Sequence, residues 1–197
     1  MLEMIVATHN RGKMKEIEAL LRDMPIEVRC LDDVDADFTV VEDGETFAQN
    51  AVKKAEAAAK RFQCAALADD SGLCVDALDG RPGVYSARFA GEDATDADNN
   101  QRLLAMLADT EERTARFVCV MALAVPGRDT VTVEGVCEGA IVETLSGDGG
   151  FGYDPLFVPQ GYDATFAQLG SRTKNQISHR AQALHMMKER IAALEGL

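Results

Sequence analysis

Apolar residues along the chain switch between short runs, typical of strands, and helical spacing, which predicts interleaved strands and helices. Asn10, Thr46, Thr95 and Ser178 each precede apolar positions at helical spacing, and these residue types cap helix N-termini. The predicted strands are 4–8, 26–31, 64–68, 117–125 and 130–136. The last two are joined by Pro126-Gly127-Arg128-Asp129, which is typical of an antiparallel pair. The pattern therefore predicts an α/β fold with a mixed sheet.

Length and charge limit the functions that this fold could serve. The 197 residues predict a single domain, 1–197, and the net charge is −13 from 20 Lys+Arg and 33 Asp+Glu. A binder of duplex DNA or of a membrane surface needs a broad basic face, so both classes are disfavoured and no nucleic-acid or membrane partner is expected. A polyanionic small molecule still fits if the basic residues gather in one pocket or a metal ion bridges the charges.

No segment predicts export or a membrane span. The longest apolar run, 117–125, has nine residues, against about 20 for a span. The N-terminus lacks the apolar stretch of a signal peptide. The five cysteines are odd in number and include no C-x-x-C, which favours a reducing, cytoplasmic location and argues against the usual zinc spacings.

Residues 7–13 predict a junction at which a strand leads into a helix. Such a junction directs free backbone N–H groups and the positive end of the helix dipole at an anion, and Lys13 adds a charge. The segment is not a Walker A loop, because Met14 follows Gly12-Lys13. The alternative is an ordinary helix start with a solvated lysine.

Asp69-Asp70-Ser71-Gly72 follows the predicted strand 64–68 and is interpreted as a turn at its end. Adjacent carboxylates on a turn can hold Mg²⁺, and one of them can activate a water molecule. The alternative is a turn in which Asp70 and Ser71 cap local backbone groups. Glu42, in the upstream acidic loop, is a further candidate ligand.

The stretch 147–155 is a glycine-rich turn that presents Phe151, Tyr153 and Asp154. Its match to G-x-G-x-x-G is spurious as a dinucleotide fingerprint, because Pro155 stands where the helix should begin. An aromatic face beside a carboxylate could bind a nucleotide base. The alternative is a turn pinned by packing of Phe and Tyr.

Ser178 as a cap puts His179 and Arg180 in the first turn of the last helix. Cations there oppose the helix dipole, which costs a few tenths to about 1 kcal/mol unless an anion or polar ligand compensates. This placement against local preference suggests function. The alternative is a pair of exposed side chains that water screens.

Together and in this order, the four segments resemble the inosine triphosphate pyrophosphatase family over essentially the whole chain. The matching stretches are VATHNRGKMKE at 6–16, ALADDSGLCVDALDGRPGVYSARFAG at 66–91, GGFGYDPLF at 149–157 and KNQISHRAQAL at 174–184. The resemblance implies an elongated mixed sheet flanked by helices, with two lobes around a central cleft, in a homodimer. It also implies Mg²⁺-dependent hydrolysis of ITP, dITP and XTP between the α- and β-phosphates, which releases pyrophosphate and cleanses the nucleotide pool.

The resemblance also assigns roles to residues. Asp70 would be the general base and a metal ligand, with Asp69 beside it, and Ser71 would touch the substrate. Many members carry an acidic metal ligand where this chain has Val41, so Glu42 is the nearest substitute. The phosphate-binding residues would be Thr8, His9, Asn10, Arg11, Gly12 and Lys13. The base-binding residues would be Phe151, Gly152, Tyr153, Asp154, Lys174, His179 and Arg180.

Three other functions compete with this hypothesis. A pyrophosphatase of similar fold could act on other damaged nucleotides, such as modified pyrimidines, and a panel of substrates separates the two. A non-catalytic nucleotide-binding module would bind without turnover. A phosphotransferase is disfavoured, because neither a Walker A loop nor a kinase signature occurs in the sequence.

Overall fold

The computed structural model describes residues 2–195, and strands and helices interleave along it as the pattern predicts. The strands are β1 (Leu2–Val6), β2 (Ile26–Cys30), β3 (Ala65–Val75), β4 (Thr114–Ala124), β5 (Val131–Ile141) and β6 (Phe157–Pro159). The helices are α1 (Arg11–Leu21), α2 (Leu31–Val34), α3 (Phe47–Phe62), α4 (Asp96–Met106), α5 (Phe166–Ile177) and α6 (His179–Glu195). Two 3₁₀ turns lie at Asp76–Leu78 and Gly83–Arg88.

The strands form one six-stranded sheet in the order β2-β1-β3-β4-β5-β6. β1 pairs in parallel with both β2 and β3, whereas β6 pairs antiparallel with β5. The sheet is therefore mixed, and the predicted α/β class is confirmed. The predicted neighbours 117–125 and 130–136 correspond to β4 and β5, which are adjacent in the sheet.

The chain divides into two compact units. Within the described residues, unit 1 comprises 2–70, 119–135 and 180–195, and unit 2 comprises 71–118 and 136–179. Strands β3, β4 and β5 each continue from one unit into the other. No helix among residues 2–195 is long and apolar enough to cross a membrane. All five cysteines are free thiols.

In unit 1, alternate residues of the sheet strands enter two different hydrophobic clusters. Met4 and Leu67 belong to the cluster that contains residues of α1 and α6, whereas Ile5 and Ala66 belong to the cluster that contains residues of α3. Successive side chains of a strand point to opposite faces, so unit 1 has helices packed on both faces of its part of the sheet. The face of α3 that packs there is made of alanines: Ala51, Ala55, Ala58 and Ala59.

Unit 2 has one hydrophobic cluster, rich in aromatic rings. Phe117 lies edge-on to Phe157 with ring centroids 4.7 Å apart, and Phe157 stacks on Phe166 at 5.4 Å. Leu103 of α4 and Leu73 of β3 are fully buried in the same cluster. This packing fixes α4 and α5 in the unit that carries the glycine-rich stretch 147–152.

Several sequence predictions were wrong in detail. The strand predicted to end at Ala68 continues to Val75, so Asp69-Asp70-Ser71-Gly72 lies inside β3 and is not a turn. Helix α5 was not predicted, and Gly170, at φ 78°, interrupts its helical periodicity. The acidic segment that carries Glu42 is loop at that residue, as predicted, but the four-residue α2 that precedes it was not predicted.

The predicted helix caps are confirmed at Asn10, Thr46 and Thr95, whose side chains accept backbone hydrogen bonds at the starts of α1, α3 and α4. The hydrogen bonds at the start of α3 form half of a capping box. Thr46 Oγ1 accepts from the Gln49 backbone N–H, but the Gln49 side chain accepts from the N–H of Glu45, one residue earlier. Ser178 ends α5 in an extended conformation directly before α6, as predicted for its start.

Candidate active site

Asp69 and Asp70 lie side by side in β3, and both are buried. Because they are consecutive in a strand, their side chains point to opposite faces of the sheet. Their partners agree with this: Asp69 contacts residues of α1 and α6, and Asp70 contacts residues of α3. The two carboxylates are therefore separated by the sheet and do not share one turn, as the sequence had suggested.

The carboxylate of Asp69 is fully buried and binds two cations through one oxygen. Its Oδ2 lies 3.2 Å from Lys13 Nζ and accepts hydrogen bonds from Arg180 Nε at 3.3 Å and Nη2 at 3.0 Å. Its Oδ1 is buried and has no hydrogen-bond partner within residues 2–195. Burial by itself would raise the pKa of Asp69, but the charges of Lys13, Arg180 and Lys54 outweigh it and hold that pKa well below its ordinary value.

Arg180 is 1% exposed, in the first turn of α6. Its guanidinium binds Asp69 through Nε and Nη2 and donates from Nη1 to Glu16 of α1. The interpretation of an exposed, solvated arginine is thus wrong, and the two carboxylates provide the anions that a cation at a helix start needs. The resemblance assigns Arg180 to base binding, and a direct contact with a base stays a prediction.

The carboxylate of Asp70 lies near one lysine and one amide of α3. Asn50 Nδ2 donates to Asp70 Oδ2 at 3.1 Å, and Lys54 Nζ lies 3.7 Å from Asp70 Oδ1. Lys54 Nζ also donates to Glu42 Oε2 at 3.0 Å. Burial raises the pKa of Asp70, with a contribution from Glu42, and this exceeds the lowering by Lys54, Lys13 and the hydrogen bond from Asn50. The neighbouring aspartates therefore have pKa values shifted in opposite directions, a pattern typical of groups with different roles in acid–base chemistry.

Asn50 links Asp70 to the loop that carries Glu42. Its Oδ1 accepts a hydrogen bond from the Gly44 N–H at 2.8 Å, while its Nδ2 donates to Asp70. A Cβ at residue 44 would overlap the Asn50 side chain, so this close approach requires glycine. One buried amide thus sets the position of Asp70 and of the segment two residues after Glu42.

The segment 8–13 forms the predicted junction between β1 and α1. Asn10 Oδ1 caps α1 by accepting from the Lys13 N–H at 3.0 Å, and Thr8 Oγ1 accepts from the Asn10 N–H at 3.1 Å. Asn10 and Arg11 are exposed, Thr8 and Gly12 are half-buried, and the Lys13 side chain turns inward to Asp69. The junction therefore presents the start of α1 to solvent and one lysine to the buried carboxylate.

His9 ties this junction to the acidic segment that follows β2. Its Nδ1 lies 2.7 Å from Asp32 Oδ1, and its Nε2 lies 2.7 Å from the Phe38 carbonyl oxygen. The hydrogen bond to Asp32 raises the pKa of His9, and the bond to Phe38 adds to this. Both ring nitrogens have protein partners, so His9 connects segment 8–13 to the segment that contains Asp32 and Phe38.

In unit 2, Asp154 and Lys174 form a buried ion pair next to Phe151. Lys174 Nζ donates to Asp154 Oδ2 at 2.6 Å and lies 4.3 Å from the centre of the Phe151 ring. The same Oδ2 accepts from the Phe151 backbone N–H at 3.0 Å. Phe151 is thus held by the Lys174 ammonium over its ring and by the Asp154 carboxylate, which accepts from its backbone N–H. The residue is half-buried.

Tyr153 and His179, two further residues predicted to bind the base, are both buried. Tyr153 is 4% exposed and donates its hydroxyl to the Ser86 carbonyl oxygen at 2.7 Å, so it pins the turn by packing, as the alternative interpretation proposed. His179 stacks on Phe117 with centroids 4.7 Å apart and planes 12° apart. Ser71 is half-buried within β3.

Unit 1 brings together the predicted Lys13, Asp69, Asp70, Glu42 and Arg180, and unit 2 brings together Phe151, Asp154 and Lys174. Three residues of unit 1 that contact Arg180 or Asp70 were not predicted from the sequence: Glu16, Asn50 and Lys54. A signal for two of them was present. Asn50 and Lys54 lie four residues apart, on one face of α3 beside its alanine stripe, where polar groups need a partner.

The carboxylates of unit 1 suit a hard divalent cation. No three His, Cys, Asp or Glu side chains within residues 2–195 are grouped so as to form a full protein cage for a metal ion. Mg²⁺ needs no such cage, because it is bound through one or two carboxylates and substrate phosphates. Asp70 and Glu42 both approach Lys54 Nζ on one face of the sheet, so these two carboxylates form a donor set that fits such an ion.

The fold and the site together define an α/β protein with oppositely perturbed carboxylates among buried cations, a class suited to anionic substrates. The chain belongs to the Ham1 family, whose model matches residues 4–190. A protein of Geobacillus kaustophilus named dITP/XTP pyrophosphatase is 50% identical over 198 residues, which cover 100% of this chain and 97% of the relative.

Solved structures of the same family agree with the fold. A HAM1 protein from Coxiella burnetii superposes with a TM-score of 0.89 at 41% identity, covering 98% of this chain and 100% of that one. The Staphylococcus aureus Ham1 protein superposes with a TM-score of 0.86 at 42% identity, covering 98% of both chains. The family resemblance drawn from the four sequence segments is confirmed.

Proposed function

We propose that this chain hydrolyses non-standard purine nucleoside triphosphates, namely dITP, XTP and ITP, to the nucleoside monophosphate and pyrophosphate. The observation that carries the proposal is the pair Asp69–Asp70, one with a lowered and one with a raised pKa, among Lys13, Lys54 and Arg180. Buried cations suit a triphosphate, and relatives named dITP/XTP pyrophosphatase match the chain over its full length. Removal of such triphosphates cleanses the nucleotide pool.

Asp70 is the general base of the proposed reaction. Its carboxylate accepts a proton from water while the water oxygen forms a bond to the α-phosphorus. The bond from that phosphorus to the bridging oxygen breaks, and pyrophosphate leaves with that oxygen. A raised pKa makes Asp70 a stronger base than an exposed aspartate, and the hydrogen bond from Asn50 fixes its orientation.

The cations of unit 1 bind the phosphates in this proposal. The capped start of α1 directs backbone N–H groups at the triphosphate, together with the neighbouring residues of segment 8–13, and Lys13, which contacts Asp69, adds a positive charge nearby. Lys54 supplies a second ammonium, whose pKa the carboxylates of Asp70, Asp69 and Glu42 raise against the opposing effect of burial. It therefore stays charged at neutral pH.

Asp70 and Glu42, which approach the same lysine, are the proposed holders of Mg²⁺. Bound there, the ion supplies positive charge that stabilises the phosphate oxygens as the anhydride breaks. The part of Asp69 in holding the ion stays a prediction, because its carboxylate lies on the other face of the sheet, where Oδ2 binds Lys13 and Arg180. EDTA should therefore abolish turnover, and added Mg²⁺ should restore it.

Unit 2 and the start of α6 recognise the base in this proposal. Phe151 stacks on the purine, and Lys174 and His179 donate toward its 6-oxo group or ring nitrogens. An amino group at that position meets donors instead of an acceptor, which gives strong discrimination against adenine. Arg180 fixes the helix start from which His179 extends, through its bonds to Asp69 and Glu16.

The decisive assay is pyrophosphate release from ITP, XTP, dITP, ATP and GTP with Mg²⁺, with EDTA as the control. Rapid, EDTA-sensitive release from the first three, with ATP and GTP nearly inert, is the expected result. Release of orthophosphate in place of pyrophosphate would refute the cleavage position. Asp70→Asn should abolish turnover while binding is kept, and a wild-type protein that binds ITP without turnover would show a binding module instead.

The proposal includes a cytoplasmic homodimer, which the family resemblance implies. Five free thiols suit a reducing compartment. Sedimentation equilibrium on the purified protein tests the dimer, because a monomer mass of 21.3 kDa at micromolar concentration would exclude it.

A further inference from the structure

The glycine-rich turn in unit 2 is held at residue 152 by one face of α4. The Gly152 N–H donates to Asp96 Oδ2 at 2.7 Å, and Asn100 Nδ2 donates to the Gly152 carbonyl oxygen at 2.9 Å. Asp96 and Asn100 are four residues apart, so their side chains stand one above the other on the helix. Both polar groups of a single residue are thus bound by the same helix.

Glycines on both sides of Phe151 make the position of its ring depend on what holds those glycines. Phe151 stands between Gly150 and Gly152, which have φ values of 72° and 59°. Glycine is the residue with the largest conformational freedom, so two of them let the ring between them move. Within the turn, Phe151 is bonded to Asp154 through both its N–H and its carbonyl oxygen, while the next residue, Gly152, is bonded to α4. Any shift at Gly152 would therefore move the aromatic ring.

Helix α4 is itself a fixed support. Thr95 and Asp98 form a reciprocal capping box at its N-terminus, and Leu103 is fully buried in the core of unit 2. Asn99 holds a second loop, donating to the Ala87 carbonyl oxygen at 2.9 Å and accepting from the Ala90 N–H at 2.8 Å. Consecutive asparagines of one helix thus orient two separate loops.

Asn100 sits in the core at a cost in stability. It is 3% exposed, and its Oδ1 has no hydrogen-bond partner among the described residues. A buried, unsatisfied polar atom destabilises a fold, so an apolar residue would serve packing better here. Retention of an amide whose one bond goes to Gly152 points to a role in placing the turn.

We propose that Asp96 and Asn100 are positioning residues for base recognition, which clamp Gly152 and so hold the Phe151 ring where the purine stacks. This inference rests on the proposed function and extends it to two residues that do not touch the substrate. The clamp acts on binding of the base, because it lies in the unit that holds Phe151 and Lys174. It leaves the chemistry at Asp70 unchanged.

Steady-state kinetics of Asn100→Ala and Asp96→Ala test the clamp. KM for ITP should rise about tenfold with kcat within a factor of about two, because one lost hydrogen bond weakens stacking that is worth a comparable free energy. Asp96→Asn keeps an acceptor oxygen for the Gly152 N–H and should restore most of the affinity. Asp93→Ala, an exposed aspartate in the preceding loop, is the matched control and should behave as wild type.

Inhibition by the two products separates positioning from general damage. Inhibition by IMP should weaken about tenfold in Asn100→Ala and Asp96→Ala, whereas inhibition by inorganic pyrophosphate should not change. Equal weakening of both inhibitors, a loss confined to kcat, or no change in KM would each overturn the clamp. Asp96 is exposed, so Asp96→Ala keeps the test decisive if Asn100→Ala does not fold. Absence of turnover in the wild type would instead refute the proposed function.

Discussion

Replacement of Asp69 by asparagine should lower the free energy of unfolding by about 3–5 kcal/mol, whereas the same change at Asp70 should not lower it. Removal of one partner from a buried ion pair costs this much because the remaining charge keeps its desolvation penalty. Asp69 has fully buried carboxylate oxygens, and Arg180 is 1% exposed, so water cannot replace the lost contact. In this variant the Arg180 guanidinium would keep its hydrogen bond to Glu16 but would lose the charge of Asp69.

The opposite expectation for Asp70 follows from the direction of its pKa shift. Burial raises the pKa of Asp70 above that of an unfolded aspartate, so its ionisation at neutral pH opposes folding. Asp70→Asn removes that charge and keeps an oxygen that can accept from Asn50. The variant should therefore unfold at the same or a higher urea concentration while it loses hydrolytic activity.

Urea unfolding followed by far-UV circular dichroism measures both effects. At pH 7, the free energy of unfolding should fall only in the Asp69→Asn variant. The pKa of Asp69 is lowered in the fold, so its contribution is complete above about pH 4, the value for an unfolded aspartate, and is lost as pH falls further. The difference from wild type should thus shrink below pH 4. A decrease in the free energy of unfolding at pH 7 of less than about 1 kcal/mol for Asp69→Asn would refute the reasoning, and so would a decrease for Asp70→Asn that exceeds the one for Asp69→Asn.

Two further substitutions test the remaining contacts. Lys174→Met should lower the free energy of unfolding by about 3–5 kcal/mol, because it leaves the Asp154 carboxylate buried without its partner charge. It should also raise KM for ITP, because the ammonium over the Phe151 ring is lost. Urea unfolding and steady-state kinetics measure the two effects, and an unchanged KM would contradict the role of Lys174 in base binding. Asn50→Ala should reduce kcat at least tenfold and lower the free energy of unfolding by about 1–3 kcal/mol, because Asp70 loses the hydrogen bond from Asn50 Nδ2. A wild-type kcat in this variant would show that Asp70 does not need this hydrogen bond for its role.

Local signals in the sequence were sufficient for most helix starts and for the junction between β1 and α1. Asn10, Thr46 and Thr95 cap helices as predicted, because a capping side chain bonds the backbone two or three residues away and needs no distant partner. The order of the four segments was also enough to find the family. Helix α5 was not predicted, because Gly170 interrupts the helical spacing of apolar residues on which the prediction of a helix depends.

The roles of the charged residues depend on distant parts of the chain. Arg180 and Asp69 are 111 residues apart in sequence, and no local pattern predicts that they form a buried pair. Likewise, the run that contains Asp69 and Asp70 was predicted as a turn from its local residue types. Tertiary packing made it a strand, and this put the two carboxylates on opposite faces of the sheet.

The sequence by itself therefore determined the family, the α/β class and the helix caps, because these depend on neighbouring residues and on composition. Only the tertiary structure decided which aspartate is neutralised by Lys13 and Arg180 and which keeps a raised pKa beside Asn50 and Lys54. The physical reason is that burial and long-range charge contacts set these pKa values, and both arise when β1, β3, α1, α3 and α6 come together.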